Sequence, residues 1–166
     1  GLLLLLGCFE KEVNMKKYIG TKMLEAKPMN LGDYNKYRGW TIPANENPLK
    51  DGYLVKYKDG YESWSPKDVF EESYRDCMGM SFGIAVELAK KGVKIAREGW
   101  NGRGMFVYYV PANSYKSCTE IGSSIADENG MVSYEPYFAI RNVKGTVSTW
   151  VPSINDCLAE DWVVVE

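Results

Sequence analysis

Hydrophobic and polar positions change period several times along the chain, and each change predicts an element. Residues 16–26 suit an exposed strand, and residues 28–37 a short helix with Asn30 as its N-cap. A Pro- and Asn-rich stretch, 41–51, reads as loop. Residues 52–57 and 61–64 flank Lys58-Asp59-Gly60, a hairpin signal. Ser65-Pro66-Lys67-Asp68 reads as a helix start, with Ser65 as cap, Pro66 at the first helical position and Asp68 reaching back. Phe70, Tyr74 and Cys77 then share one apolar face, and this first unit closes near Cys77.

Met78-Gly79-Met80 is the expected boundary. Ser81 caps the next helix, Phe82, Ala85, Val86 and Ala89 form its buried stripe, and Gly92 stops it. Residues 93–98 and 105–110 read as strands joined by Gly99-Trp100-Asn101-Gly102-Arg103-Gly104. A long irregular stretch, 111–135, follows, with a tight turn at Asn129-Gly130. Residues 137–141 and 146–150 predict a second hairpin across Lys144-Gly145. A short helix over 153–159 has Ser153 and Asp156 spaced as a capping box, and 162–165 is a last strand. The expected fold class is α+β. A small, mostly antiparallel sheet with one main helix occupies residues 78–166, and a small α+β module occupies 15–77.

Residues 1–14 are set aside. Leu2 to Leu6 before Gly7 and Cys8 resemble the end of a lipoprotein signal, but the apolar run is short and no basic segment precedes it. Lys11-Glu12-Val13 is encodable by a ribosome-binding sequence, and Met15-Lys16-Lys17 follows at once. The expectation is a leader read through in frame, with Met15 as the native start.

Composition narrows the chemistry. A net charge of −2 gives no global field for duplex nucleic acid or an acidic membrane. No stretch is long enough to span a bilayer. The chain has no histidine, which removes the commonest general base and metal ligand. Its four cysteines, Cys8, Cys77, Cys118 and Cys157, are widely spaced, and reduced thiols are expected rather than a zinc site. Neither a metal nor a cofactor is expected. Five Trp and twelve Tyr suit a small core, and also flat ligands and interfaces.

Two clusters are candidate sites. In the 99–104 loop, three glycines let backbone amides approach an anion, Trp100 offers a stacking face, and Asn101 offers an amide for a base edge or hydroxyl. Arg97 and Arg103 are candidate phosphate partners. The structural alternative is a plain Asn-Gly turn with Trp100 in the core. In the second cluster, Trp150 and Asp156, with Glu160 and Asp161 behind, could orient ribose hydroxyls or form an acid/base pair. The structural alternative makes Asp156 a helix cap, and Glu160 and Asp161 a solvated helix end. The tyrosines at 108, 109, 134 and 137 read as mostly structural, and Lys90-Lys91 as charge at a helix C-terminus.

The second half also resembles a known family. The segments Phe82-Gly83-Ile84-Ala85, Ile95-Ala96-Arg97-Glu98-Gly99-Trp100-Asn101-Gly102-Arg103-Gly104-Met105-Phe106 and Pro136-Tyr137 occur in order. Trp150-Val151-Pro152-Ser153 and Asp156-Cys157-Leu158-Ala159-Glu160-Asp161-Trp162 follow. Together they resemble the second type of phage Thoeris anti-defence protein, over about half of the chain. The resemblance implies a sponge that holds a glycocyclic ADP-ribose, or for some members a cyclic dinucleotide, without cleaving it. It implies a homo-oligomer, typically a tetramer, with pockets between protomers, acting in the cytoplasm of the infected bacterium. Trp100 and Asn101 are then the foremost ligand contacts, joined by Gly102, and on chemistry by Arg97, Arg103, Trp150 and Asp156. Residues 15–77 resemble an accessory phage module of unassigned function. Two other readings stay open: a module that blocks a host protein through its aromatic surface, and a hydrolase using Asp156, Glu160 or Asp161.

Overall fold

The computed structural model describes residues 15–166, and the expected leader, with Cys8, lies outside them. The first regular element is strand β1, Glu25–Pro28. The strand expected from residue 16 is therefore confined to its C-terminal end, since among the described residues no strand pairing involves 15–24. Helix α1, Leu31–Arg38, starts where Asn30 Oδ1 accepts the Asp33 backbone N–H at 2.8 Å. It ends at Gly39, whose φ of 70° is the left-handed conformation that favours glycine. Strands β2, Gly52–Lys56, and β3, Glu62–Pro66, form the expected hairpin, and the sheet order is β1-β2-β3. Gly52 is needed there: a Cβ on it would lie 2.3 Å from the Trp64 ring.

The helix start after this hairpin differs from expectation. Ser65 is a strand residue paired with Tyr53, so its side chain caps nothing. Helix α2 runs Lys67–Ser73 with Pro66 at the N-cap position. Tyr74 leaves the helix, yet its ring still stacks on Phe70 at 4.9 Å. Cys77 does not continue that face. It packs against the core of the following unit, where its carbonyl accepts the Val164 N–H at 3.0 Å.

Helix α3, Phe82–Lys90, lies on a five-stranded antiparallel sheet. Its strands are β4 Lys94–Arg97, β5 Phe106–Val110, β8 Tyr137–Arg141, β9 Val147–Trp150 and β10 Trp162–Val165. Their order is β10-β4-β5-β8-β9. Ile95, Val107 and Ile140 are successive register partners and form one row of side chains across the sheet. That row meets Ala85, Leu88 and Ala89 of α3, all buried. Leu88 completes the helix stripe, while Val86 is only half-buried. Trp162 is fully enclosed in the same cluster, and Met80 bridges to it through paired backbone hydrogen bonds. The fold is α+β, as expected.

The stretch over 111–135 is not irregular. It holds strand β6, Asn113–Lys116, helix α4, Glu120–Ser124, and strand β7, Met131–Tyr134, with β6 and β7 paired as a separate ribbon. Polar contacts shape it. Thr119 Oγ1 caps α4 by accepting the Gly122 N–H, and Asp127 Oδ1 accepts the N–H groups of Asn129 and Met131. Ser114 and Ser133 hydroxyls meet across the ribbon at 3.0 Å. No residue of these elements is buried, so hydrophobic period carries little trace of them. A last short helix, α5, Ile154–Leu158, begins with the expected capping box between Ser153 and Asp156. Among the described residues, no helix is long and apolar enough to cross a membrane.

Trp162 has two separable roles, filling the core and donating its indole N–H to the Asp156 carbonyl at 2.9 Å. Trp162→Phe is expected to cost about 1–2 kcal/mol by losing that bond, and Trp162→Ala about 3–5 kcal/mol through the cavity. Urea unfolding midpoints check the order. Equal losses in the two variants would deny the hydrogen bond its role.

Candidate functional site

Alternation along β4 and β10 places Arg97 and Trp162 opposite each other, on the face of the sheet that carries α3. Arg97 is half-buried there and needs partners. Its Nε donates to Asp161 Oδ1 at 2.8 Å and its Nη2 to Asp161 Oδ2 at 3.3 Å, a two-point grip. Its Nη1 donates to Asp156 Oδ1 at 3.1 Å. Asp156 Oδ2 closes the α5 capping box by accepting the Ser153 N–H at 2.9 Å. Asp161 Oδ2 also accepts the Gly99 N–H at 3.4 Å. One guanidinium therefore joins β4, β10, the start of α5 and the first residue of the glycine loop.

These contacts set the carboxyl groups' titration. Burial pushes the Asp156 carboxyl up, but hydrogen bonds from Ser153 and Arg97 outweigh it and hold it below its ordinary value. For Asp161 the Arg97 hydrogen bonds lead, and they lower its value against the effect of burial. The same pairing, Asp161 first, raises Arg97.

Above this network stand four aromatic rings. Trp100, half-buried, meets Trp162 edge-on at 5.6 Å and Trp150 edge-on at 6.3 Å. Trp150 and Trp162 meet at 5.9 Å, and Phe82 lies 5.3 Å from Trp162. The structure thus brings Trp100, Trp150, Arg97 and Asp156 together. Arg97 and Asp156 are engaged with each other, and Trp100 and Trp150 pack against the core.

The rest of the loop divides into a pinned side and an open side. A Cβ on Gly102 would press on the Val143 and Met105 side chains, so glycine lets both pack against the loop. Gly104 has φ 78°, and its carbonyl accepts Arg141 Nη1 at 2.9 Å. Asn101 and Arg103 are exposed, and among the described residues neither side chain has a hydrogen-bond partner. Arg141 and Val143 escaped the sequence reading. The alternation of 137–141 sends Arg141 to the face opposite Ile140, but only the register with Phe106 reveals the loop beside it. Of two clefts, one is lined by Tyr34, Asn35 and Trp40 and the other by Thr21, Arg75, Glu87 and Glu160; Glu160 is the one residue of the two candidate clusters that borders either. Among the described residues Cys77, Cys118 and Cys157 form no disulfide, and burial pushes the Cys77 thiol up.

Because both carboxyl values are lowered from 3.8, the stability they give is present above that pH and lost as pH falls through the folded values below it. Acid unfolding is expected to steepen below about 3.8, and Asp161→Asn to flatten that limb. At neutral pH the variant is expected to lose about 1–2 kcal/mol, since one charged hydrogen-bond partner of Arg97 is gone. Urea midpoints across the acid range check both. An unchanged acid limb in the variant would mean that other groups govern it.

Comparison with known proteins agrees with the earlier resemblance. A protein of Bacillus phage SP01 described as Thoeris anti-defense 2 is 38% identical over 90 residues, covering 52% of this chain and 94% of that protein. The matched family model is the Thoeris anti-defense 2-like domain, over residues 80–165, which includes α3, all five strands of the large sheet, the glycine loop and α5. The chain therefore belongs to the Thoeris anti-defense 2-like family of phage anti-defence proteins.

Proposed function

We propose that the protein binds and sequesters a cyclic nucleotide-type immune signal, a glycocyclic ADP-ribose or a cyclic dinucleotide, without cleaving it. In this reading residues 78–166 are the ligand-binding unit, working in the cytoplasm of the infected cell, and residues 15–77 are accessory. The observation that carries it is the two-sided loop. Its inner side is pinned by Val143, Arg141 and Asp161, while Asn101 and Arg103 stand exposed, with no side-chain partner among the described residues. A cation beside open backbone amides suits phosphate, Asn101 suits a base edge or hydroxyl, and half-buried Trp100 suits a ring. Arg97 and Asp156 act from beneath by holding that frame.

A sponge has no use for a general acid, and two of the three carboxylates a hydrolase could draw on, Asp156 and Asp161, are both paired to one arginine. The pocket is proposed to close between protomers of a homo-oligomer, a tetramer being favoured. In support, Ile154 and Leu158 share one face of α5, each 78% exposed, and Val151 beside them is 83% exposed. The same patch would serve the other reading, contact with a host protein.

Two experiments test this. The purified protein is incubated with glycocyclic ADP-ribose isomers and cyclic dinucleotides, filtered, heat-denatured, and the released compound identified by mass spectrometry. One intact compound is expected, with Arg103→Ala weakening capture roughly ten- to a hundredfold through loss of a charged hydrogen bond. A cleaved product would make the protein an enzyme, and no capture would point to a protein target. Light scattering is expected to show Leu158→Asp lowering the assembly state. An unchanged mass would place the contact between copies elsewhere.

A further inference from the structure

The large sheet has two faces, and α3 takes one of them. Among the described residues it is the helix packed on this sheet, against the row of Ile95, Val107 and Ile140. Strand alternation sends Lys94, Phe106, Tyr108 and Arg141 to the other face. Strand β5 is the middle strand of the five, so Phe106 and Tyr108 lie along the centre of that face, their ring centroids 6.0 Å apart. Both are half-buried, not enclosed. The register partner of Tyr108 is Ala139, whose short side chain leaves the ring room on its β8 side. Val147, opposite Arg141 at the rim, is 55% exposed.

A cation flanks these rings on each neighbouring strand. Lys94 Nζ, from β4, stands 5.5 Å from the Phe106 centroid. Arg141, from β8, is the register partner of Phe106 and is steadied where its Nη1 donates to the Gly104 carbonyl. None of the five strands contains an Asp or a Glu. Arg97 on the α3 face has its carboxylates, but among the described residues neither Lys94 nor Arg141 forms a salt bridge. At the Arg141 end, the glycine loop and the turn after β8 meet at Gly102 and Val143, which brings exposed Arg103 and Lys144 to the same end of the sheet. A chain of net charge −2 therefore carries a local positive field over a pair of central aromatic rings.

We propose that this face binds a single-stranded nucleic acid, with successive bases stacked on Phe106 and Tyr108 and the backbone passing Lys94 and Arg141. Neighbouring rings on an open antiparallel sheet suit unpaired bases, which offer their flat faces, and cations beside the rings suit the phosphates between them. A duplex hides those base faces, and a flat sheet does not enter its grooves. A second copy packed face to face is disfavoured by charge: it would bring two sets of Lys94 and Arg141 together with no carboxylate on any strand to meet them.

The test is fluorescence anisotropy of the full-length protein with labelled oligothymidylate and oligouridylate, and with the duplex of oligothymidylate and oligoadenylate. Saturable binding of the single strands is expected, with the duplex clearly weaker. Raising salt from about 50 to about 200 mM is expected to weaken it roughly five- to tenfold, as for two phosphate contacts. Phe106→Leu keeps apolar bulk but removes the stacking ring, and is expected to weaken binding roughly tenfold. Lys94→Gln, a change at a half-buried strand position, is expected to weaken it severalfold and to flatten the salt dependence. Urea midpoints identify variants that remain folded. No binding of either single strand would overturn the proposal, as would a duplex bound equally well. So would binding that survives both Phe106→Leu and Lys94→Gln in folded protein, which would place the strand elsewhere. Signal capture in the filtration assay is expected to be unchanged in Phe106→Leu, so the two readings fail independently.

Discussion

The grip of Arg97 on Asp161 and Asp156 is the constraint on which the second unit's geometry turns. A half-buried guanidinium must find partners, and here it finds them on two elements that sequence places about sixty residues downstream. Asp156 cannot serve Arg97 unless α5 has formed, because its other oxygen completes the helix cap. Asp161 cannot unless β10 lies beside β4, one residue before Trp162 enters the core. The ion pairs add little to a summed stability, since paired charges give back much of their desolvation cost only. What they fix is register: β10, α5 and the loop after β4 can be assembled in one way.

On that frame the glycine loop is held at several points without being covered. Gly102 admits Val143, Arg141 holds the Gly104 carbonyl, and Asp161 takes the Gly99 amide. These contacts approach the loop from the side of the sheet and its turns, leaving the opposite side to solvent. A loop held this way loses little freedom when something docks on it, so more of the contact energy becomes affinity. In the proposed sponge, which would work by stoichiometry, affinity must outrun concentration.

What the sequence made legible followed from how each feature is encoded. Local codes were readable: Asn30 as a cap, the Lys58-Asp59-Gly60 hairpin, and the Ser153–Asp156 box all appear where their residues imply. So was the α+β class, which rests on periodic burial in α3 and the large sheet. Ser65 was misleading because a capping sequence can also end a strand, and pairing with Tyr53 decided it. The β6–β7 ribbon was hidden because serine and tyrosine contacts and an aspartate turn hold it, with no buried face to give a period. At the site, Trp100 and the glycines stand out by residue type alone. Their partners do not: Arg141 and Val143 become relevant only through strand register, and no spacing in the sequence couples Arg97 to Asp161.

That coupling also bears on whether the site binds or cuts. Cleaving a glycosidic bond with two carboxyl groups needs one of them protonated near neutral pH, and enzymes arrange this by burial or by a neighbouring negative charge. Asp156 and Asp161 do sit close together, which by itself would raise one of them. The arginine between them reverses that effect, donating to both and favouring both charged forms. Protonating either carboxylate would weaken a contact that holds α5 or the glycine loop in place, so acid chemistry there would loosen the frame that positions a ligand. At Asp156 and Asp161 the arrangement suits keeping a site's shape better than donating a proton, and Glu160 stands outside this pairing.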